Sequence, residues 1–414
     1  MNPILIVIVA ILVARFAVDL VADLLNLKHI SETLPAEFSD SYDPEQYTKS
    51  QRYLRETTRF GVLTDSLELA VSLAFVLAGG FNYLDRIVRA AGHGPIATGL
   101  LFMGALLVGS QLLSLPFSIY STFVIEERYG FNRTTPRTFI LDLIKGILLT
   151  VILGAPVLAL VLALFAKTGA TAWLWCWGAV TVIQIILLFV APYVIMPLFN
   201  KFVPLEAGEL RDTVERYAGE QNFAMRGVYT MDGSRRSAKS NAFFTGFGRS
   251  RRIVLYDTLI KMHPVPELLA IIAHEMGHYK RKHILKAIVR GIATMGLTFF
   301  LLSRCIENAS LFSAFKMDHV SIYASLVFFG FLYTPISMAL GIVGSVISRR
   351  HEYEADAFAV ETGGDSSALI AGLKRLTVEN LGNLTPHPFK VWLSYSHPPI
   401  LDRIRAIRAL RVRS

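Results

Sequence analysis

Apolar residues in this 414-residue chain gather into windows near 3–26, 62–84, 96–120, 139–166, 171–198, 285–303 and 322–347. Each window can cross a hydrocarbon layer of ~30 Å, for which about 20 residues suffice. That segregation constrains the fold more than any motif does, because backbone inside a bilayer must satisfy its own hydrogen bonds as helix or as closed barrel. With 53% hydrophobic residues the chain is too apolar for an ordinary soluble enzyme of its length. The pattern predicts an all-α polytopic membrane protein with seven transmembrane helices and intervening polar segments. The first window lacks a preceding basic stretch and outruns a signal core, so it is expected to remain in the mature protein.

Basic residues set the expected orientation. Lys28, Lys49, Arg52, Arg55 and Arg59 follow the first window, and Arg128, Arg133 and Arg137 follow the third, whereas the alternate loops are poorer. By the positive-inside rule the amino terminus lies outside, and the 199–284 segment and carboxyl tail are cytoplasmic. Four divisions result: 1–198 with five spans, 199–284 as a cytoplasmic catalytic segment, 285–348 with spans six and seven, and 349–414 as a cytoplasmic end. The net charge of +9 comes largely from this bias and from a basic tail of Arg403, Arg405, Arg408, Arg411 and Arg413. Ile404, Ile407 and Leu410 recur in that tail every three residues, as in an amphipathic helix lying on lipid headgroups or on the domain. Nucleic acid is not an expected partner; membrane lipid is. Cys176 and Cys305 have no redox or zinc-knuckle spacing, and Trp173, Trp175 and Trp177 fit an interfacial belt.

The polar part carries the chemistry. Within 199–284, residues 206–221 read as a polar helix and 227–231, 242–247 and 253–256 as short strands, with Gly246 and Gly248 marking a bend or edge. A helix then begins at Pro264-Val265-Pro266-Glu267 and leads through Leu268, Leu269, Ile271 and Ile272 into His274-Glu275-Met276-Gly277-His278. Residues i and i+4 share a helix face, so both imidazoles can reach one zinc ion, with Glu275 placed to take a proton from water. His283, projected along the same helix, points about 140° from His278 and is expected to be solvated or at the membrane boundary. A third ligand is needed, and Glu352 and Asp356 share a face just beyond the seventh window. One of the two can bind metal while the other orients a ligating histidine. Arg15 with Asp19, Asp65, Glu68, Asp142, Lys145 and Arg290 lie within windows, where charge is costly unless it faces a partner or water, so a polar, water-containing interior is expected.

These residues together resemble the type I CAAX prenyl proteases, seven-span zinc metallopeptidases of the gluzincin class, over nearly the whole length. The likeness is carried by EERYGFN at 126–132, PLFNKF at 197–202, SNAFFTG at 240–246, the His274–His278 motif, RRHEYEAD at 349–356 and SHPP at 396–399. It implies a barrel of spans around an intramembrane chamber, joined to a small α+β gluzincin-type domain that holds one Zn²⁺. It also implies Glu352 as third ligand with His274 and His278, Asp356 as support for a ligand histidine, and Glu275 as base. His397, with Arg403 as a weaker candidate, corresponds to the oxyanion-stabilising group, and Asn241 to the residue that holds an extended substrate along Ala242 and Phe243. The implied substrate is a peptide or protein, prenylated at a C-terminal cysteine in the family. The tail shows no dilysine retrieval signal and the loop at 304–321 is short, which point to a bacterial-type member of the inner (plasma) membrane and leave open a broader role in membrane-protein quality control. A seven-span transporter and an inactivated-protease scaffold are the readings from other classes. The first gives no reason for the zinc motif, and the second predicts a lost ligand or base.

Overall fold

The computed structural model describes residues 2–246, 251–363 and 365–411. Its membrane half comprises α1 (Pro3–Lys28), α2 (Pro44–Leu77), α3 (Gly80–Ala90), α4 (Pro95–Tyr120), α5 (Pro136–Leu149), α6 (Ala155–Thr168), α7 (Ala172–Val190) and the short α8 (Met196–Phe199). The remainder comprises β1 (Phe202–Pro204), α9 (Glu209–Glu220), β2 (Gly227–Met231), β3 (Ala242–Thr245), β4 (Arg252–Tyr256), α10 (Asp257–Met262), α11 (Val265–Lys280) and α12 (His283–Ser303). It closes with α13 (Ala309–Ala314), α14 (Ile322–Gly363), α15 (Ser366–Glu379), α16 (Pro388–Ser394) and α17 (Ile400–Arg411). Among the described residues six continuous helical stretches are long and apolar enough to cross a membrane, one of them the 55-residue Pro136–Val190. That stretch turns at Gly169, whose φ of +56° favours glycine, and α6 packs back against α7.

Two boundaries differ from the sequence expectation. The second long helix starts at Pro44, capped by the Asp43 carboxylate, and stops at Leu77 because Gly79 takes a left-handed conformation with φ +77°. Residues 80–84 therefore belong to the separate amphipathic α3. The long helices pack sparsely: between 6% and 17% of the most apolar stretch of each is buried within the protein. One end is closed by an aromatic cluster in which Phe81 and Phe102 meet Phe312, Phe315 and Phe328, with Phe315 and Phe328 stacked at 3.8 Å. Cys176 and Cys305 are unpaired thiols packed near Phe329 and Leu326. Trp175 is exposed, while the Trp177 indole donates to the Ile292 carbonyl of α12 at 2.9 Å.

At the other end sits a mixed sheet of order β1-β2-β4-β3, with β2 and β4 parallel and the outer pairs antiparallel. The strand at 242–247 is seen as β3 to Thr245, with Phe247 and Gly248 outside the described residues; Gly246 follows it at φ +84°. Val228, Ile253 and Leu255 of the sheet pack onto Leu268, Ile272 and Met276 of α11, each burial stabilising by about 1.5–3 kcal/mol. The segment before α2 adds Phe38 and Tyr42 to this core, the first turn of α2 adds Tyr47, and α17 adds Ile404 and Ile407. Of the two sites expected for the basic tail, the domain surface is the one observed, with Arg413 outside the described residues.

Two polar clamps join the halves. Arg236 grips Asp142 of α5 through bonds of 2.7 and 3.0 Å, which gives that intramembrane carboxylate its partner. Lys239 lies 2.9 Å from Glu126 and 2.8 Å from the Tyr53 hydroxyl, tying the end of the third long helix to the segment that enters β3. Arg15 and Asp19 pair with each other at 2.6 Å, and the Lys145 ammonium donates to the Leu198 carbonyl at 2.6 Å.

Candidate metal centre

Helix α11 carries His274 and His278 on one face, with their Nε2 atoms 3.2 Å apart. Helix α14 brings Glu352 against both: Oε1 is 3.2 Å from His278 Nε2, and Oε2 is 3.5 Å from His274 Nε2. The approach depends on Gly277, since a Cβ there would lie 2.9 Å from the Ala355 Cα and 3.0 Å from its carbonyl oxygen. The three donor groups fall within 4.8 Å of one another. Tetrahedral zinc with nitrogen and oxygen ligands at 2.0–2.1 Å sets its ligand atoms about 3.3 Å apart, so this cluster fits such an ion and leaves a fourth position free.

The surroundings favour a cation. Asp356 Oδ1 is 2.8 Å from His274 Nδ1, which leaves Nε2 to face the cluster. Burial alone disfavours a charged His274, yet the Asp356 and Glu352 carboxylates overcome it and raise the imidazole to about 9. Arg403 in turn grips Asp356 with Nε to Oδ2 at 2.9 Å and Nη2 to Oδ1 at 2.6 Å, and its Nη1 is 3.4 Å from Glu352. Its guanidinium is thus committed behind the histidines and does not line the cavity in front of them.

That cavity, of about 370 Å³, is bordered by Glu275, His274, His278, Glu352, His397 and by Phe243 and Phe244 of β3. Burial pushes the Glu275 carboxyl above its ordinary range. His397 stands at the mouth, 66% exposed, with Nε2 3.6 Å from Glu352 Oε1 and Nδ1 2.9 Å from the Ser396 hydroxyl. Among the described residues strand β3 pairs with β4 on one side only, so an unpaired strand edge adjoins the cavity. Asn241 precedes it, exposed, its side-chain oxygen accepting from the Ala242 N–H at 2.9 Å and its carbonyl from the Tyr256 N–H at 3.1 Å. Ala242 is buried, and Phe243 is half-buried against the cavity.

Of the two positions expected for His283, solvent is excluded, and the residue stands at the first position of the long apolar helix α12. It is buried: its Nδ1 is 3.1 Å from His278 Nδ1, its Nε2 3.0 Å from Glu354, and its ring stacks on His351 at 3.9 Å. Lys282, at φ +58°, ends α11 and starts α12 in a new direction, so a single-helix projection does not apply. His283 therefore supports the second histidine much as Asp356 supports the first. A left-handed lysine leaves no mark in composition, and only the density of histidines hinted at it.

Comparison with known proteins places this geometry. Residues 23–201 match the family described as CAAX prenyl protease N-terminal, five membrane helices, and residues 204–411 match Peptidase family M48. The chain is 35% identical to the Probable CAAX prenyl protease 1 of Schizosaccharomyces pombe, covering 97% of this chain and 88% of that one. It is 34% identical to CAAX prenyl protease 1 of Saccharomyces cerevisiae, covering 95% and 93%. The crystal structure of S. mikatae Ste24p superposes with a TM-score of 0.93 at 33% identity, over 98% of this chain and 99% of that one.

Proposed function

The chain belongs to the CAAX prenyl protease family, peptidase family M48, and is a zinc-dependent membrane endopeptidase; from that membership we propose how its residues divide the work. His274, His278 and Glu352 hold one Zn²⁺, as the convergence of their donor atoms within 4.8 Å supports. Bound there, zinc lowers the pKa of water to about 7 and polarises a carbonyl. Glu275, whose burial makes it a stronger base, takes the proton of the attacking water and passes it to the leaving amine as the C–N bond breaks. His397 is exposed enough to turn its Nε2 towards the developing oxyanion. Arg403 acts through Asp356 as a positioning residue, because its guanidinium is already spent on that carboxylate.

A peptide bound in extended form adds to the open edge of β3 alongside Ala242 and Phe243, with Asn241 at the entry to the strand. The single observation that carries this reading is the histidine–glutamate cluster facing a cavity beside an unpaired strand edge. Glu275→Gln should retain zinc and lose cleavage by at least about 10²-fold. Cleavage at the wild-type rate by a variant with full zinc content would sink the role given to Glu275.

The finer reading follows the relatives named CAAX prenyl proteases: the substrate is a protein prenylated at a C-terminal cysteine. Cleavage of a farnesylated CAAX peptide, beside its unprenylated counterpart and with and without chelator, tests this. A strong preference for the farnesylated peptide is expected; equal rates would favour a general quality-control protease of membrane proteins. We count seven crossings, since the 55-residue stretch doubles back, with the amino terminus outside and both peptidase segments cytoplasmic. The divisions at 198, 284 and 348 rest on the same count. Sparse burial of the long helices supports a chamber among them, closed at its far end by the aromatic cluster. The relatives named above are eukaryotic, so membership carries no restriction to bacteria; the short loop at 304–321 is what supports a bacterial-type member.

A further inference from the structure

A pocket of about 520 Å³, away from the metal cluster, opens on α2 where that helix leaves the peptidase half, and Arg52, Arg55, Arg59, Phe60, Tyr120 and Tyr129 are among its lining residues. The three arginines are three and four residues apart and so share one face of the helix. Like charges at that spacing repel one another, and among the described residues none of the three has a carboxylate within ion-pair distance. Glu56, on the same wall, is already taken by Arg128 and by the Tyr129 hydroxyl at 2.8 Å. The pocket therefore presents uncompensated positive charge to an anion.

What kind of anion follows from the rest of the helix. The arginine face continues down α2 through Leu63, Leu67 and Ala70, with Leu63 60% and Leu67 41% exposed, whereas Thr64, Asp65 and Glu68 lie round the other side. On a span lining a polar interior, the polar side turns inward and the apolar side meets lipid. Tyr120, stacked on Phe60 at 5.1 Å, adds an amphipathic ring at the same level. We propose that this pocket is a binding site for an anionic phospholipid, its phosphate against Arg52, Arg55 and Arg59 and its acyl chain along Leu63 and Leu67. Basic clusters at the cytoplasmic end of a span attract such headgroups at about 1 kcal/mol per residue, a factor of about five.

Native mass spectrometry of the full-length protein in detergent, titrated with dioleoyl phosphatidylglycerol, dioleoyl phosphatidylcholine or inorganic phosphate, tests the site. Phosphatidylglycerol should bind in preference to phosphatidylcholine, each of Arg52→Gln, Arg55→Gln and Arg59→Gln should weaken it about fivefold, and Arg211→Gln on α9 should change nothing. The triple Arg→Lys variant, which keeps the charge, should keep the preference for the anionic lipid. Equal binding of the two lipids, or unchanged affinity in all three single variants, overturns the proposal. Displacement of phosphatidylglycerol by inorganic phosphate at matching concentration overturns the lipid and assigns the site to free phosphate. No cleavage is read, so the outcome is separate from that of the peptidase assignment.

Discussion

At the scale of single residues, the centre is held from behind. Asp356 meets Nδ1 of His274 and Arg403 grips Asp356, so the imidazole is oriented through two successive charge-assisted contacts. Asp356→Asn should weaken zinc binding by about 10–100-fold while the protein stays folded; competition with a chromophoric chelator measures this, and an unchanged zinc affinity would refute the support role. Arg403→Gln should follow the same pattern with a smaller loss, and a fall in kcat at normal zinc affinity would instead return Arg403 to the oxyanion. Some of this was legible in the chain. His274 with His278, and Glu352 with Asp356, each stand four residues apart, a spacing that helical geometry converts directly into a shared face. The contact of Arg403 with Asp356 spans 47 residues and was illegible, because only the tertiary packing of α17 on α14 creates it.

At the scale of elements, the decisive contact is the crossing of α11 and α14 at Gly277. A methyl group there meets main-chain atoms of Ala355, which cannot rotate away. Gly277→Ala should therefore cost about 1–3 kcal/mol, as overpacked cores do, and should move Glu352 away from the histidines. A lower Tm together with reduced zinc content is the expected result; normal zinc content at normal Tm would show that the helices can part without disturbing the cluster. Element identity was readable where patterns are long, as in the spans, or bounded by turn residues, as in β2 and β4. It failed for β1, three residues recognised only by their pairing with β2, and at 80–84, where apolar character continues past a chain reversal made by Gly79. The open edge of β3 also has no sequence signature, since strand order is a property of the assembled sheet.

At the scale of the whole molecule, the folded peptidase half and the membrane half share one metal cluster. Zinc bound only by the folded form stabilises it by about 4 kcal/mol when free metal exceeds the Kd a thousandfold. Chelation should thus abolish cleavage and lower the Tm, with both restored by added zinc; recovery of neither, or loss of activity without a shift in Tm, would argue against a resident ion that bridges α11 and α14. Seven apolar windows announced the scaffold, yet the sparse burial of their helices emerges only when their arrangement is seen.

Helix α14 runs unbroken from the bilayer through Glu352 to Gly363. The carboxylate that completes the cluster therefore moves as one rod with the last long apolar helix, and any sliding of that helix against α11 parts it from the two histidines.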